Sequence, residues 1–240
     1  MLFRSDGDLA APVLDTSFEN TADTDFSQAT QRAQAAAALK KIQQQLGQRY
    51  SPIINGEAVH TDSHIDSLNP AQPQQLVGRV GLASQSQADQ AMTVAQAAFP
   101  GWAATPVQER AAMLRRAADI MADRRHELNA WMVYEVGKPL GQADPEVSEA
   151  IDFCRYYAEE MERLDRGYAY DYPGETNRYR YAPRGIALVI SPWNFPLAIA
   201  TGMTVAALVT GNCTILKPAE NSAVIAAKLA EILIEAGLPP

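Results

Sequence analysis

Two short loops near the end of the chain hold the residues best suited to chemistry. Ser191-Pro192-Trp193-Asn194-Phe195-Pro196 carries an amide and an indole, and Lys217-Pro218-Ala219-Glu220 carries an ammonium and a carboxylate. A fixed neutral donor such as an amide stabilises negative charge where that charge develops. Lys217 and Glu220 could serve a ligand, or on residue chemistry alone could close a plain loop salt bridge. No G-x-G-x-x-G occurs anywhere, so the usual dinucleotide fingerprint is missing.

The elements that must position these loops lie in one apolar stretch. Gly185 to Leu216 carries no charge, and Lys217, Glu220 and Asn221 follow it. A membrane span would need about 20 unbroken apolar residues; Pro192, Pro196 and Gly211-Asn212 cut the stretch into shorter pieces. Gly185 to Ile190 is short, apolar and β-branched, the pattern of a strand buried on both faces. The two prolines make 191–196 irregular. Leu197 to Thr210 reads as a helix apolar nearly all round, hence buried, and Gly211-Asn212 stops it. Cys213 to Leu216 is a second buried strand. Ser222 is placed to cap a helix over Ala223 to Ala236, which Gly237 and Pro239 end. Strand-helix-strand-helix with short loops implies parallel strands, and ligands bind at the carboxyl ends of such strands. Both chemical loops sit at carboxyl ends.

PWNFP followed by GN-x-x-x-LKPAE resembles the NAD-dependent aldehyde dehydrogenase superfamily. The longer form ISPWNFPLAI…TGMTVAALVTGNCT…LKPAE, with EVGKP and EVSEAIDFCRYYA upstream, is most similar to L-glutamate γ-semialdehyde dehydrogenases, which occur alone or as the second half of bifunctional proline-catabolism enzymes. The resemblance covers roughly Tyr50 to Pro240. It implies an α/β fold: an N-terminal β-hairpin and helices, then the first strand-helix-strand-helix of a Rossmann-like parallel sheet, an incomplete aldehyde dehydrogenase fold. The implied organisation is a linker and Ala/Gln-rich helix over 1–48, the β arm and helices of a cofactor domain over 49–164, an oligomerisation hairpin over 165–183, and the start of the NAD-binding sheet over 184–240.

The resemblance also implies roles. Asn194 matches the amide that helps hold the oxyanion. Ile190, Ser191, Pro192 and Trp193 match residues along the NAD cleft. Lys217 and Glu220 match the pair that grips the adenosine ribose; a carboxylate there would repel a 2′-phosphate, which favours NAD over NADP. Phe195 matches an aromatic near the aldehyde's aliphatic stem, with core packing as its plain alternative. Glu146 matches a carboxylate facing the substrate's amino group, with a first-turn helix acid as its alternative. The family's nucleophile is a cysteine roughly a hundred positions beyond the KPAE loop. Neither cysteine here fits: Cys154 shares a helical face with Val147, Ile151 and Ala158, and Cys213 lies within a strand where a thiolate is disfavoured. On this reading the chain is the amino-terminal part of a longer enzyme that oxidises an aldehyde, L-glutamate γ-semialdehyde foremost, through a thioester. A different aldehyde such as succinate semialdehyde, or a non-catalytic module that only binds nucleotide or associates, stays open.

The remaining sequence supports this frame. Net charge is −8 and charged residues make up 20%, which disfavours nucleic acid and anionic membranes. Two well-separated cysteines and no signal peptide fit a cytoplasmic setting. Residues 1–25 are polar and acidic and read as linker, with ENTADTDFS resembling the junction in bifunctional relatives; Phe26 to Leu46 favours helix. Ile53 to Val59 is a hairpin about Asn55-Gly56, and Leu76 to Leu82 a strand. His60 and His64 are separated by turn residues, so no metal site is expected. Ser84 or Ser86 caps a helix over Asp89 to Phe99, Thr105-Pro106-Val107-Gln108 forms a capping box, Glu127 to Val136 is a helix stopped by Gly137, and Asp144-Pro145-Glu146 starts another. Arg110, Arg115, Arg116 and Asp119 read as a solvated face. Tyr168, Tyr170 and Tyr172 alternate before Pro173-Gly174, as Tyr179 and Tyr181 do after it, which gives a hairpin with an aromatic face suited to homo-oligomer contact.

Overall fold

The computed structural model describes residues 18–240; the linker reading of 1–17 lies outside the described residues. Residues 18–25 form no regular element, yet two carboxylates pin them down. Asn20 and the Thr21 N–H donate to Asp152 at 2.8 and 2.9 Å, and the Thr24 N–H and hydroxyl donate to Asp144 at 2.6 and 2.8 Å. Asp144 is 1% exposed and also accepts from Asn129 and Arg125. Burial alone would raise its carboxyl, but these donors and the guanidinium outweigh it and hold the group below the usual carboxylate range.

Helix α1 (Ala29–Gln43) then buries Ala35, Ala38 and Ile42, two small residues that permit a close approach and one large one that fills the core. Strand β1 (Gln48–Tyr50) follows. A two-residue turn joins β2 (Ile53–Ile54) to β3 (Glu57–Ala58), with Asn55 and Gly56 both left-handed at φ 55° and 74° as a type I′ turn demands. Strands β4 (Ser63–Asn69) and β5 (Gln72–Leu82) pair antiparallel, and β1 runs parallel to β5. The sequence reading found only the last part of β5 and none of β4, because SHIDSLN offers few apolar residues to mark a face. Gly78 is required where three elements meet: a Cβ there would lie 2.7 Å from the Tyr50 ring and 2.9 Å from Val224.

The helical layer comprises α2 (Gln85–Ala104), α3 (Val107–Asp123), α4 (Arg125–Val136) and α5 (Leu140–Asp165). Ser84 and Gln87 make a reciprocal capping box on α2. The box expected at Thr105 does not form. Pro106 takes the cap position of α3, and the Thr105 hydroxyl turns back to the Gly101 carbonyl. Helix α5 starts at Leu140, ahead of the expected Asp144, and contains Pro145, whose missing N–H forgoes a single early bond. Ala111, Leu114, Ala117 and Met121 of α3 and Val147, Ile151, Cys154 and Ala158 of α5 are all fully buried, and they form the centre of the core.

Strands β6 (Tyr168–Tyr172) and β7 (Glu175–Tyr179) form the expected hairpin around Pro173-Gly174, with Gly174 at φ 83°. Every residue of both strands is exposed. Tyr168 meets Tyr179, and Tyr179 meets Tyr181, at centroid distances of 6.1 and 5.3 Å. The last segment is β8 (Ile186–Ile190), α6 (Ala198–Val209), β9 (Cys213–Lys217) and α7 (Ala223–Glu235), with one 3-10 turn over Glu220–Ser222 before α7. Strands β8 and β9 are parallel. Only one face of β8 is covered: Val189 is buried, whereas Leu188 and Ile190 are 58% and 60% exposed. The expectation of a strand buried on both faces is therefore not met among the described residues. No helix among the described residues is long and apolar enough to cross a membrane.

The Asp144 cluster yields a test. Asp144→Ala removes the Arg125 ion pair and both acceptors of Thr24, while Asp152 still holds Asn20 and Thr21, so urea denaturation should show a loss of about 3 kcal/mol, and limited proteolysis should cut near Thr24 first. A variant as stable and as resistant as the wild type would show that the segment is not held by this carboxylate.

Candidate functional site

The two chemical loops leave the same edge of the parallel pair because Ile190 and Lys217 are register partners at its carboxyl end. The Ser191 N–H donates to the Lys217 carbonyl at 3.4 Å and ties the loops together at their base. Ser191 is buried, whereas Pro192, Trp193, Asn194, Phe195, Lys217 and Glu220 are all exposed. Among the described residues the side chains of Asn194, Lys217 and Glu220 have no partner. The loop salt bridge that would have explained Lys217 and Glu220 without a ligand does not form. Ile190, Ser191, Pro192, Trp193, Asn194, Phe195, Lys217 and Glu220 are thus gathered on one edge, with uncommitted donors and an uncommitted carboxylate.

Glu146 is not among them. It is 2% exposed and sits behind the first loop. Its Oε1 accepts the Leu197 and Ala198 N–H groups at 2.9 and 3.2 Å, at the start of α6. Its Oε2 accepts from Lys138 Nζ at 2.5 Å. Both oxygens are occupied, so the placement of Glu146 against a substrate amine is replaced by a structural one: it supplies the acceptor that the first N–H groups of α6 lack. Lys138 Nζ also donates to the Asn194 carbonyl at 3.0 Å and lies 4.3 Å from the centroid of the Phe195 ring. The sequence reading gave Lys138 no role: Gly137-Lys138-Pro139 entered as a helix stop and within the EVGKP motif of the resemblance. One turn beyond Glu146, Glu149 is half-buried; burial and the neighbouring Glu146 and Asp152 carboxylates raise it, against the opposing pull of Lys138.

The second loop is held in the same manner. Glu135, at the end of α4, accepts the Val224 N–H at 2.6 Å and the Ile225 N–H at 2.8 Å, with the Ser67 hydroxyl at 3.3 Å. Ser222 stands at the cap position of α7 but makes no side-chain cap bond, so the expected local cap gives way to a distant one. The opposite helix ends meet guanidinium groups. Arg110 Nε donates to the Val209 carbonyl at 2.9 Å, Trp102 Nε1 to Leu208 at 3.1 Å, and Arg116 Nε to Ala236 at 2.8 Å. Arg110 is only 4% exposed. Arg110 therefore leaves the solvated face expected for it, whereas Arg116 stays exposed and still reaches the end of α7.

Both cysteines are free: Cys154 is buried, and Cys213 is half-buried in β9, a strand less covered than expected. Burial pushes the Cys154 thiol up to about 12 and raises Cys213 as well, so neither is poised as a nucleophile. No group of three or more potential metal ligands occurs among the described residues.

Burial also pushes Glu135 up to about 7, against the lowering effect of its three donors. A carboxyl raised on folding takes up a proton when the chain folds. Its contribution to stability therefore worsens as pH climbs from the unfolded value near 4.5 through about 7. Glu135→Gln removes that titration. Urea denaturation of both proteins should show the wild type losing ground to the variant between pH 5 and about 8; a difference that stays constant over that window would refute the assignment.

Residues 57–240 match the aldehyde dehydrogenase family. The chain is 49% identical over 217 residues to 1-pyrroline-5-carboxylate dehydrogenase of Geobacillus thermodenitrificans, covering 90% of this chain and 42% of that one. It is 48% identical over 225 residues to 1-pyrroline-5-carboxylate dehydrogenase 2 of Halalkalibacterium halodurans, covering 93% and 44%. Among solved structures, proline utilization A from Bdellovibrio bacteriovorus superposes with a TM-score of 0.91 at 42% identity, over 92% of this chain and 23% of that one. The 1-pyrroline-5-carboxylate dehydrogenase from Thermus with bound NAD gives 0.90 at 41% identity, over 93% and 44%. The chain thus spans less than half the length of these relatives, and its mixed α/β architecture matches the amino-terminal portion of the aldehyde dehydrogenase fold. On the extent of these matches, the chain belongs to the aldehyde dehydrogenase family.

Proposed function

We propose that this chain supplies the NAD-gripping and oxyanion-holding half of an enzyme that oxidises L-glutamate γ-semialdehyde to L-glutamate in proline breakdown. One observation carries the reading: an uncommitted amide and an uncommitted ammonium and carboxylate stand at the ends of two adjacent parallel strands. The names of the relatives favour this substrate over succinate semialdehyde.

The residues present suit NAD. Glu220 is exposed with a free carboxylate to accept from ribose hydroxyls, Lys217 has a free ammonium to donate, and Pro192 and Trp193 offer flat apolar walls. When bound, NAD supplies the hydride acceptor. Asn194 Nδ2 donates to the carbonyl oxygen of the aldehyde as charge grows there, and Phe195 lies along the aliphatic stem. Glu149, one turn beyond the fully engaged Glu146, is the acid free to face the substrate's amine. The attacking thiol is neither Cys154 nor Cys213, because burial raises both thiols. The 165–183 hairpin, with its open tyrosine face, is the surface for a second copy of the chain, and two free cysteines suit a cytoplasmic setting.

Aldehyde-dependent formation of NADH by the full gene product tests the reading. Asn194→Ala should lower kcat by about 100- to 1,000-fold with little change in the NAD requirement. Glu220→Ala should raise the NAD requirement more than the aldehyde requirement, and equal effects on both would remove its cofactor role. Replacing Tyr168, Tyr170 and Tyr179 together with serine should lower the particle mass in light scattering. An unchanged mass would clear the hairpin of that role.

A further inference from the structure

Glu146 and Glu135 reach the two loops from different helices, over separations of 51 and 89 residues in sequence. We infer that each is a positioning residue for one half of the site: Glu146, with Lys138, sets the Asn194 amide, and Glu135 sets Glu220. The inference rests on the roles proposed above for Asn194 and Glu220.

The geometry places each tether close to the group it would set. Lys138 holds the carbonyl of Asn194 itself, and Glu146 holds the N–H groups of Leu197 and Ala198 just after it. Pro196 lies between and stiffens the connection. A shift of the Glu146–Lys138 pair therefore moves Asn194 almost directly. On the other side, Glu135 holds Val224 and Ile225, and a single 3-10 turn separates these from Glu220. Ser67 from β4 steadies the same carboxylate.

Capping alone does not explain the choice of residues. Ser222 is available as a local cap for α7, yet it makes no cap bond. A local cap would settle whether the helix forms; a carboxylate from another helix settles where it starts. The two tethers share no atom, so they should be separable by mutation. A merely structural role would instead lower stability and depress both functions together. Misplacing a reacting group by about 1 Å can cost on the order of 100-fold in rate, so a small shift in either tether is enough to read.

The experiment uses the full gene product as wild type, Glu146→Gln and Glu135→Gln, with Glu146→Asp and Glu135→Asp as substitutes should either amide variant fail to fold. Two quantities are measured: the NAD dissociation constant by calorimetry, and kcat with L-glutamate γ-semialdehyde at saturating NAD. Glu146→Gln should lower kcat by about 10- to 100-fold and leave NAD affinity within about twofold. Glu135→Gln should weaken NAD about tenfold and leave kcat at saturation nearly unchanged. Parallel losses in both quantities for both variants, or wild-type values in both, would overturn the inference. A wild type that binds NAD but oxidises no aldehyde defeats the dehydrogenase reading alone. The NAD titration then decides, with weak binding by the Glu135 variant and tight binding by the Glu146 variant as the supporting result. A wild type that binds no NAD overturns both.

Discussion

Helix α6 carries no charge of its own, so its position depends on charge supplied from behind. Its first N–H groups meet the Glu146 carboxylate and its last carbonyls meet the Arg110 guanidinium. Helix α7 repeats the arrangement with Glu135 and Arg116. In both, the sign of the charge complements the helix dipole, negative at the amino end and positive at the carboxyl end. Each bond to a charged partner is worth about 1.5–3 kcal/mol, and removing a buried partner strands the opposite group. Helices α3, α4 and α5 thereby act as a jig. They fix where α6 and α7 begin, and so where the loops after β8 and β9 emerge.

The parts of this arrangement that are local in sequence could be read from it. Pro192, Pro196 and Gly211 mark the boundaries of β8, α6 and β9 because each acts on its own backbone, and Tyr168 to Tyr181 announces its hairpin by period and turn. The jig could not be read in the same way. Glu135, Glu146 and Arg110 look like ordinary polar-face residues by helical spacing; only the docking of α6 and α7 buries them, and Arg116 reaches α7 from a face that stays exposed. The family resemblance, and not the spacing, put Glu146 against a substrate, and neither pointed to a role for Lys138, whose partners lie on α5 and in the loop after β8. Strand β4 was missed for a different reason: half of it faces outward and its apolar residues are too few to set a period.

Two groups stand out among the large apolar side chains left open in the described residues. One is the edge and face of β8, with Leu188, Ile190, Trp193 and Phe195; the other is the tyrosine hairpin. Covering such faces gains roughly 25 cal/mol per Å² of apolar surface removed from water. The core behind them is complete without that gain, since the α3–α5 interface is fully buried. The elements that carry the chemistry thus rest on a finished helical layer at one side and present unfinished surface at the other.

The Lys138–Glu146 pair shows why a charged jig suits such a site better than an apolar one. A buried ion pair is a poor source of net stability, because desolvation offsets most of the attraction, and a well-packed apolar pair can do as well. What an apolar pair lacks is direction. Glu146 offers two oxygens, and the structure uses one for the helix and the other for Lys138; the ammonium then has donors left for the Asn194 carbonyl and a face of Phe195 to rest on. Each contact limits the others, and the loop satisfies all of them at once. The pair is also neutral as a unit, so it holds the Asn194 carbonyl without adding a net charge beside the oxygen that the side-chain amide is proposed to hold. The desolvation cost is spent on placement of the loop, and stability comes from the apolar core of α3 and α5.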